Sequence, residues 1–159
     1  MRKENYITLQ DDGNEIMFRV MQMDAMKQTR WVTKALLLLA SAGIVKSTSA
    51  LELEKLSQQF EKEGLTLLFD ILGKLDYDKV QPLFDEMLTC VAHVPDRNNR
   101  GFVVQLNADN IGTVVGDFKN VYKLAFEAVK INFFNAGSVG NSRQPQKQAD
   151  IVFTKRMSM

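Results

Sequence analysis

The first 21 residues contain two β-prone stretches, the first of which alternates apolar with polar side chains as a strand with one buried face does. The alternation covers Tyr6 to Leu9, and a second β-prone stretch follows from Ile16 to Met21. Between them, Asp11 to Asn14 contains Gly and Asn, which tolerate the positive φ angles of tight turns. The pattern predicts an N-terminal β-hairpin.

Helical spacing replaces this alternation after Met23. Asp24 can cap the first predicted helix, because its carboxylate accepts hydrogen bonds from free amides of the first turn. Gly43 can end that helix in the left-handed region. The next apolar series, Leu53 to Leu75, is interrupted at Gly64 and fits either one helix with a weak point or two shorter helices.

A third helical unit is predicted to begin at Asp78, with Gln81 three residues later as in a capping box. Pro82 would then lie in the first turn, where proline is tolerated. The buried face of this unit includes Leu83 and extends to Val91. The pattern therefore predicts one helix through the whole segment.

The longest helical pattern runs from Ile111 to Phe134 and starts near residues 107–110. Before it, residues 102–106 form a short β-prone stretch that predicts a strand near the hairpin. After Phe134 the chain becomes rich in Gly, Ser and Gln. A packed body is predicted to end there.

These elements predict a mainly α fold with a small β component. The expected architecture is an N-terminal β-hairpin, a bundle of about four helices and a flexible C-terminal tail. Residues 1–134 form one predicted domain, long enough to bury a single core, and residues 135–159 form the polar, basic tail.

Charge and composition narrow the function. The formal net charge is +1, of which residues 135–159 carry +3 and residues 1–134 carry −2. A nearly neutral body disfavours nucleic acid as the main partner, since phosphate binding requires concentrated Lys and Arg. Cys90 is the only cysteine, which excludes an internal disulfide and fits a reducing compartment. No secretory signal opens the sequence, and no apolar run is long enough to span a membrane.

Candidate chemistry is sparse. Cys90, His93 and Asp96 suggest a metal or thiol–imidazole site, but a structural zinc ion needs four ligands and the chain has one Cys and one His. A buried, inert Cys90 is the preferred interpretation. No metal ion or other cofactor is expected.

Two small motifs have structural explanations. Gly112 and Gly116 lack the Gly-Lys-Ser/Thr ending of a phosphate-binding loop, so close helix packing explains the pair better than nucleotide binding. Asp11 and Asp12 fit turn positions, and the pair Asp85–Glu86 fits a solvated helix face. No catalytic residues are assigned, and the chain is not expected to be an enzyme.

Methionines are concentrated where the hairpin meets the first helix. Met17, Met21, Met23 and Met26 lie within ten residues of one another. Methionine adapts to irregular apolar surfaces, so a partly exposed partner-binding groove is one interpretation and core packing is the other.

Three ordered segments resemble one known family. They are the hairpin and first helix from Tyr6 to Ala40, the unit Leu75 to Val91, and the closing stretch Ile111 to Gly137. Within them, Arg30-Trp31 and the run from Lys130 to Phe134 carry much of the likeness. The chain resembles the tail assembly chaperones of long-tailed bacteriophages.

The resemblance implies a small, non-enzymatic, mostly helical protein that binds the tape measure protein and recruits tail tube subunits. It implies action in the host cell cytoplasm and absence from the mature virion. Many members also occur in a longer form made by ribosomal frameshifting, so residues 135–159 fit either a natural tail or the start of an extension. Its function would rest on apolar surfaces, and the candidate partner-binding residues are Met23, Met26, Trp31, Phe133 and Phe134.

Two alternatives stay open at this point. A small phage nucleic-acid-binding regulator would use the basic tail, and an enzyme would need a site around Cys90, His93 and Asp96. Self-association is also compatible with the apolar helix faces.

Overall fold

The structure of the chain is a computed structural model that describes residues 2–45 and 50–134. The predicted C-terminal tail, residues 135–159, lies outside the described residues. The described elements, in chain order, are β1 (Glu4–Asp11), β2 (Asn14–Met21), α1 (Ala25–Ser41), α2 (Ala50–Glu63), α3 (Leu65–Leu72), α4 (Tyr77–Leu88), β3 (Val91–Val94), β4 (Val104–Gln105), a 3₁₀ turn (Ile111–Thr113) and α5 (Phe118–Phe133).

The predicted N-terminal hairpin is confirmed. Strand β1 pairs antiparallel with β2, and Ile7 lies opposite Phe18. The turn uses Asp12 and Gly13, both with positive φ (50° and 84°), as a two-residue hairpin loop requires. Because side chains alternate along a strand, Ile7 and Phe18 share the face that packs against α5.

The hairpin belongs to a larger sheet than the predicted small β component. Four antiparallel strands are arranged in the order β1-β2-β3-β4. Strand β3 pairs with β2, with Val91 opposite Val20. The short strand expected between residues 102 and 106 is present as β4, and it lies beside β3.

The helical prediction for Val91 was therefore wrong. Helix α4 ends at Leu88, and the four residues Val91–Val94 form β3. A short apolar run fits a buried strand as well as a helix when periodicity is the only guide. Here the edge of β2 is available for pairing, and β3 satisfies its backbone hydrogen bonds there.

Helix α4 also begins earlier than predicted. Asp76 is its N-cap, and the Asp76 side chain accepts a hydrogen bond from the Asp78 N–H. Pro82 consequently lies inside the helix and beyond its first turn. The missing N–H of Pro82 removes one helical hydrogen bond without ending the helix.

The last helix is shorter than the pattern from Ile111 to Phe134 predicted. Residues Ile111–Thr113 form a 3₁₀ turn, and α5 starts only after its N-cap Asp117, whose carboxylate accepts from the Lys119 N–H at 3.0 Å. Gly112 and Gly116 disfavour a continuous helix across this segment. The helical spacing of buried Ile111 and Val115 was misleading because Ile111 reaches the core from the 3₁₀ turn and Val115 from irregular backbone.

Helix α1 starts where predicted, and the apolar series after it forms two helices. The Asp24 carboxylate accepts from the Lys27 N–H at 2.9 Å and caps α1. Gly64, with φ of 58°, separates α2 from α3, which selects the two-helix alternative.

Two apolar clusters result. The sheet-side core packs α4 and α5 against the sheet and comprises Phe18, Val20, Met23, Met87, Leu88, Cys90, Val91, Leu106, Ile111, Val115, Leu124, Ala125, Ala128 and Ile131. The helix-side core lies among α1, α2, α3 and the outer face of α5, and comprises Leu39, Val45, Leu56, Phe60, Ile71, Phe126 and Phe134. None of the helices in the described part of the chain has the length and apolarity to span a membrane.

Candidate partner-binding cavity

Helices α1 to α5 surround an apolar cavity of about 130 Å³. Helix α1 packs on α4, and α3 packs on α2 and α5, whereas α1 has less contact with α2 and α3. The cavity lies between α1 and the α2–α3 pair, with α4 and α5 completing its wall. Its walls include Leu39, Phe60 and Met87 and expose no polar surface.

Trp31 is held rigidly in the cavity wall. Its indole N–H donates a hydrogen bond to the Leu83 carbonyl at 2.9 Å. Its ring stacks on Phe133, with ring centroids 5.0 Å apart and planes 20° apart. Because the only polar atom of the indole is satisfied, the ring presents apolar surface to the cavity.

Phe134 closes the cavity where α5 ends. Its backbone N–H donates to the Lys130 carbonyl at 2.9 Å, and its ring stacks on Phe60 at 5.2 Å. The Phe134 side chain is buried in the helix-side core. The last described residue is therefore fixed in the cavity wall.

An exposed aromatic cluster adjoins the cavity. Phe84 lines the cavity and meets the edge of Tyr122, with centroids 5.5 Å apart. Tyr122 also contacts Phe69 at 5.0 Å and Phe118 at 6.4 Å. Phe69 is 47% exposed and Phe118 is 70% exposed. We call Phe69, Phe84, Phe118 and Tyr122 the aromatic cluster, and it extends the apolar surface outward from the cavity.

Sequence reasoning missed the aromatic cluster. Phe118 and Tyr122 lie four residues apart within the helical pattern from Ile111 to Phe134, a spacing typical of one buried helix face that gives no sign that Phe118 is exposed. Phe118 is the first residue of α5, and its exposure depends on how the other helices pack beside that end.

Of the five candidate partner-binding residues, the structure brings three together. Trp31, Phe133 and Phe134 all line the cavity. Met23 is 7% exposed and packs in the sheet-side core, and Met26 is 58% exposed. Neither methionine lines the cavity, and partner binding by all five stays a prediction.

The four clustered methionines do not share one face. Strand alternation places Met17 and Met21 opposite Phe18 and Val20, on the side of the sheet away from α5. Met23, in contrast, packs under α5. A single groove built from these four side chains is not formed.

Asn132 joins the end of α5 to the start of α1. Its side-chain oxygen accepts from the Met23 N–H at 2.8 Å and from the Gln28 amide at 3.2 Å. Its amide donates to the Ala128 carbonyl at 2.8 Å and to the Cys90 sulfur at 3.5 Å. This buried network fixes the C-terminal end of α5.

The surroundings of Cys90 and His93 disfavour a reactive site. Burial raises the pKa of the Cys90 thiol, which disfavours the reactive thiolate. Burial also lowers the pKa of His93, whose ring lies beside Phe18. Within residues 2–45 and 50–134, no cluster of three potential metal ligands occurs.

Asp11 fixes the other end of α5 and is more than a turn residue. Its buried carboxylate accepts from the Gly116 N–H at 2.7 Å, the Asp117 N–H at 2.9 Å and the Asn120 amide at 2.9 Å. The Gly116 hydrogen bond lowers the pKa of Asp11 most strongly; those from Asn120 and Asp117 act in the same direction, and burial opposes them. Gly116 lies so close to the hairpin turn that a side chain there would meet Asp12 and Asp11. The predicted helix packing at Gly112 and Gly116 is therefore not formed.

Residues 14–136, more than three quarters of the chain, match the sequence model of a family described as phage tail assembly chaperone protein. The chain belongs to this family. No curated protein and no solved structure matches it.

The match places the cavity of this tail assembly chaperone entirely within family sequence. The cavity-lining residues run from Trp31 to Phe134, so all of them lie between residues 14 and 136, as does the aromatic cluster. Strand β1 precedes the matched residues. The cavity and the aromatic cluster are therefore both part of the family match.

Proposed function

We propose that this chaperone binds the phage tape measure protein through the cavity and the aromatic cluster, and recruits tail tube subunits to it. The observation that supports the proposal is the cavity itself, an apolar space whose wall includes Trp31, Phe133 and Phe134. A stable core fills such a space with side chains, because empty space forfeits dispersion contacts. An incoming apolar side chain would restore those contacts.

The shape of the site fits an amphipathic helix of the tape measure protein. Helices that dock in grooves insert apolar side chains spaced three or four residues apart. One such side chain would enter the cavity, and the next would contact Phe84 and Phe118 in the aromatic cluster. Covering these side chains would keep the tape measure protein soluble until tube subunits replace the chaperone.

We further propose that the protein acts without catalysis, in the host cell cytoplasm, and leaves before the virion is complete. The family is described as a chaperone, and the buried Cys90 thiol is poorly placed to act as a nucleophile. Mass spectrometry of purified virions tests the last point. Stoichiometric amounts of the chaperone in virions would contradict it.

Co-expression with the tape measure protein of the same phage tests the binding site. Leu38 and Leu37 are neighbours on α1, but Leu38 lines the cavity whereas Leu37 is 59% exposed. Leu38→Asp places a charge at the apolar wall, where an unpaired carboxylate is costly. We expect the tape measure protein to co-purify with wild-type chaperone and with Leu37→Asp, and to be lost with Leu38→Asp.

Circular dichroism of each variant separates loss of binding from loss of folding. If wild-type chaperone neither solubilises nor co-purifies with the tape measure protein, the proposed function is wrong. If folded Leu38→Asp binds as well as Leu37→Asp, the function stands and the cavity is not the site. Salt-dependent retardation of nucleic acid in gels would favour the regulatory alternative instead.

A further inference from the structure

We propose that the chain's own segment Ile151–Phe153 docks in the cavity, with the Phe153 ring inserted between α1 and α3. Only the consequence, competition with the tape measure protein, rests on the proposed function. The docking itself follows from the position, reach, chemistry and charge of residues 135–159.

The segment after Phe134 begins at the cavity. Phe134 is both a wall residue of the cavity and the last described residue, so the following segment starts at the cavity. Its anchoring by Phe60 and by the Lys130 carbonyl fixes that starting point. No other end of the described chain lines this space.

Reach is ample. Eighteen residues separate Phe134 from Phe153, and an extended chain covers about 3.3 Å per residue, or roughly 60 Å in total. The segment can therefore turn back to the cavity. Tethering raises its local concentration far above that of a dilute free partner.

The chemistry of the segment fits the space. Phe153 is the only aromatic residue among residues 135–159, and Ile151 and Val152 precede it. The cavity is apolar and measures about 130 Å³. An apolar protein cavity of about 150 Å³ holds a benzene molecule, so a phenyl ring has the right size and polarity for this one.

Opposite net charges favour the same contact. Residues 135–159 carry +3 and residues 1–134 carry −2. Lys155 and Arg156 follow Phe153 closely, and Glu63 and Asp70 line a recess that shares Leu56 and Ile71 with the cavity. Lys55 and Lys74 line the same recess and balance those two carboxylates, so only the opposite overall charges attract, and salt screens that attraction. Apolar contact is therefore the main contribution.

Trp31 makes the test direct, because it is the only tryptophan and lies in the cavity wall. In the full chain, Lys155→Cys would carry a nitroxide label, which quenches tryptophan emission at short range. Native Cys90 is buried with a raised thiol pKa, so it resists labelling. We expect the label to quench Trp31 and Phe153→Asp to abolish the quenching.

Val139→Asp is the matched control, since it adds the same charge to the same segment and spares residues 151–153. It should leave the quenching unchanged. Absence of quenching in the labelled parent, or equal loss in Val139→Asp and Phe153→Asp, overturns the proposal. Quenching that disappears on dilution would show docking between two copies and also overturns it.

The competition has its own readout. Phe153→Asp should retain more tape measure protein in co-purification than Val139→Asp does, because the cavity is vacated. Equal retention by the two variants overturns the competition. If no variant binds the tape measure protein but quenching follows the expected pattern, the proposed function fails and the docking stands.

Discussion

The sheet-side core and the helix-side core differ in how tightly their side chains pack and in whether buried hydrogen bonds hold their helices in place. The sheet-side core contains fully buried side chains such as Leu124 and Val91, and buried polar groups fasten α5 above it at both ends. The helix-side core surrounds a cavity, and its described contacts are apolar. Stability therefore resides mainly on the sheet side, and the helix side is the adaptable part of the molecule.

The largest expected effect is in the sheet-side core. Leu124→Ala should lower the free energy of unfolding by about 3–4 kcal/mol, because Leu124 is fully buried and well packed. Leu39→Ala should cost less, about 2 kcal/mol, since Leu39 already borders the cavity and has fewer contacts to lose. Urea unfolding of both variants measures the difference. Equal or reversed costs would contradict the division between the two cores.

Asp11 gives a smaller effect that depends on pH. Asp11→Asn should cost about 1–2 kcal/mol at neutral pH by weakening charged hydrogen bonds to Gly116 and Asp117. The folded pKa is lowered, so this contribution is present above the unfolded pKa of about 3.9 and is lost as the pH falls through the folded value.

Unfolding curves between pH 7 and pH 3 test this pH dependence. The wild-type advantage over Asp11→Asn should shrink as the solution becomes acidic. Asp12→Asn, a change at the neighbouring exposed position, is the control and should show no such advantage. A pH-independent difference between wild type and Asp11→Asn would rule out the carboxylate as its source.

Filling the cavity should have a still smaller effect of opposite sign. Ala35 lines the cavity and is half-buried. In the Phe153→Asp chain, whose cavity is vacated, Ala35→Leu should raise the free energy of unfolding by about 0.5–1 kcal/mol, as cavity-filling substitutions do, and should weaken tape measure binding. Ala25→Leu, at the exposed start of α1, should do neither. Destabilisation by Ala35→Leu would mean that the space is too constrained to accept a side chain.

Removal of residues 135–159 should have the smallest effect on folding. The body is expected to unfold cooperatively without them, with a loss of stability well below that of Leu124→Ala. Circular dichroism during heating measures this. A truncated chain without a cooperative transition would show that residues 1–134 are not an independent domain.

Local signals explain which parts of the fold were predictable. The hairpin and α1 were predicted because turn residues and a capping carboxylate act within a few residues of their targets, as Asp24 does on Lys27. Strand β3 was missed because Val91 owes its conformation to pairing with Val20, 71 positions away in the sequence. The break before α5 was missed because it depends on a hydrogen bond from the Gly116 N–H to the distant Asp11 carboxylate.

The candidate site was predictable to the same limited extent. Trp31, Phe133 and Phe134 were singled out from a family resemblance, and the structure shows that they share one cavity. The cavity exists because of the spacing of α1 from α3, which no local pattern contains. The aromatic cluster depends equally on how Phe69 and Tyr122 meet across two helices.

The hydrogen bonds at both ends of α5 also determine which helices can move when a large side chain enters the cavity. Asp11 holds its first turn to the hairpin, and Asn132 holds its last turn to the start of α1. Helices α2 and α3 meet at Gly64, where a positive φ interrupts the helix and no side-chain hydrogen bond caps the start of α3. We therefore expect the α2–α3 pair to move and α5 to stay in place when a side chain enters the cavity. Amide hydrogen exchange should be slowest along α5.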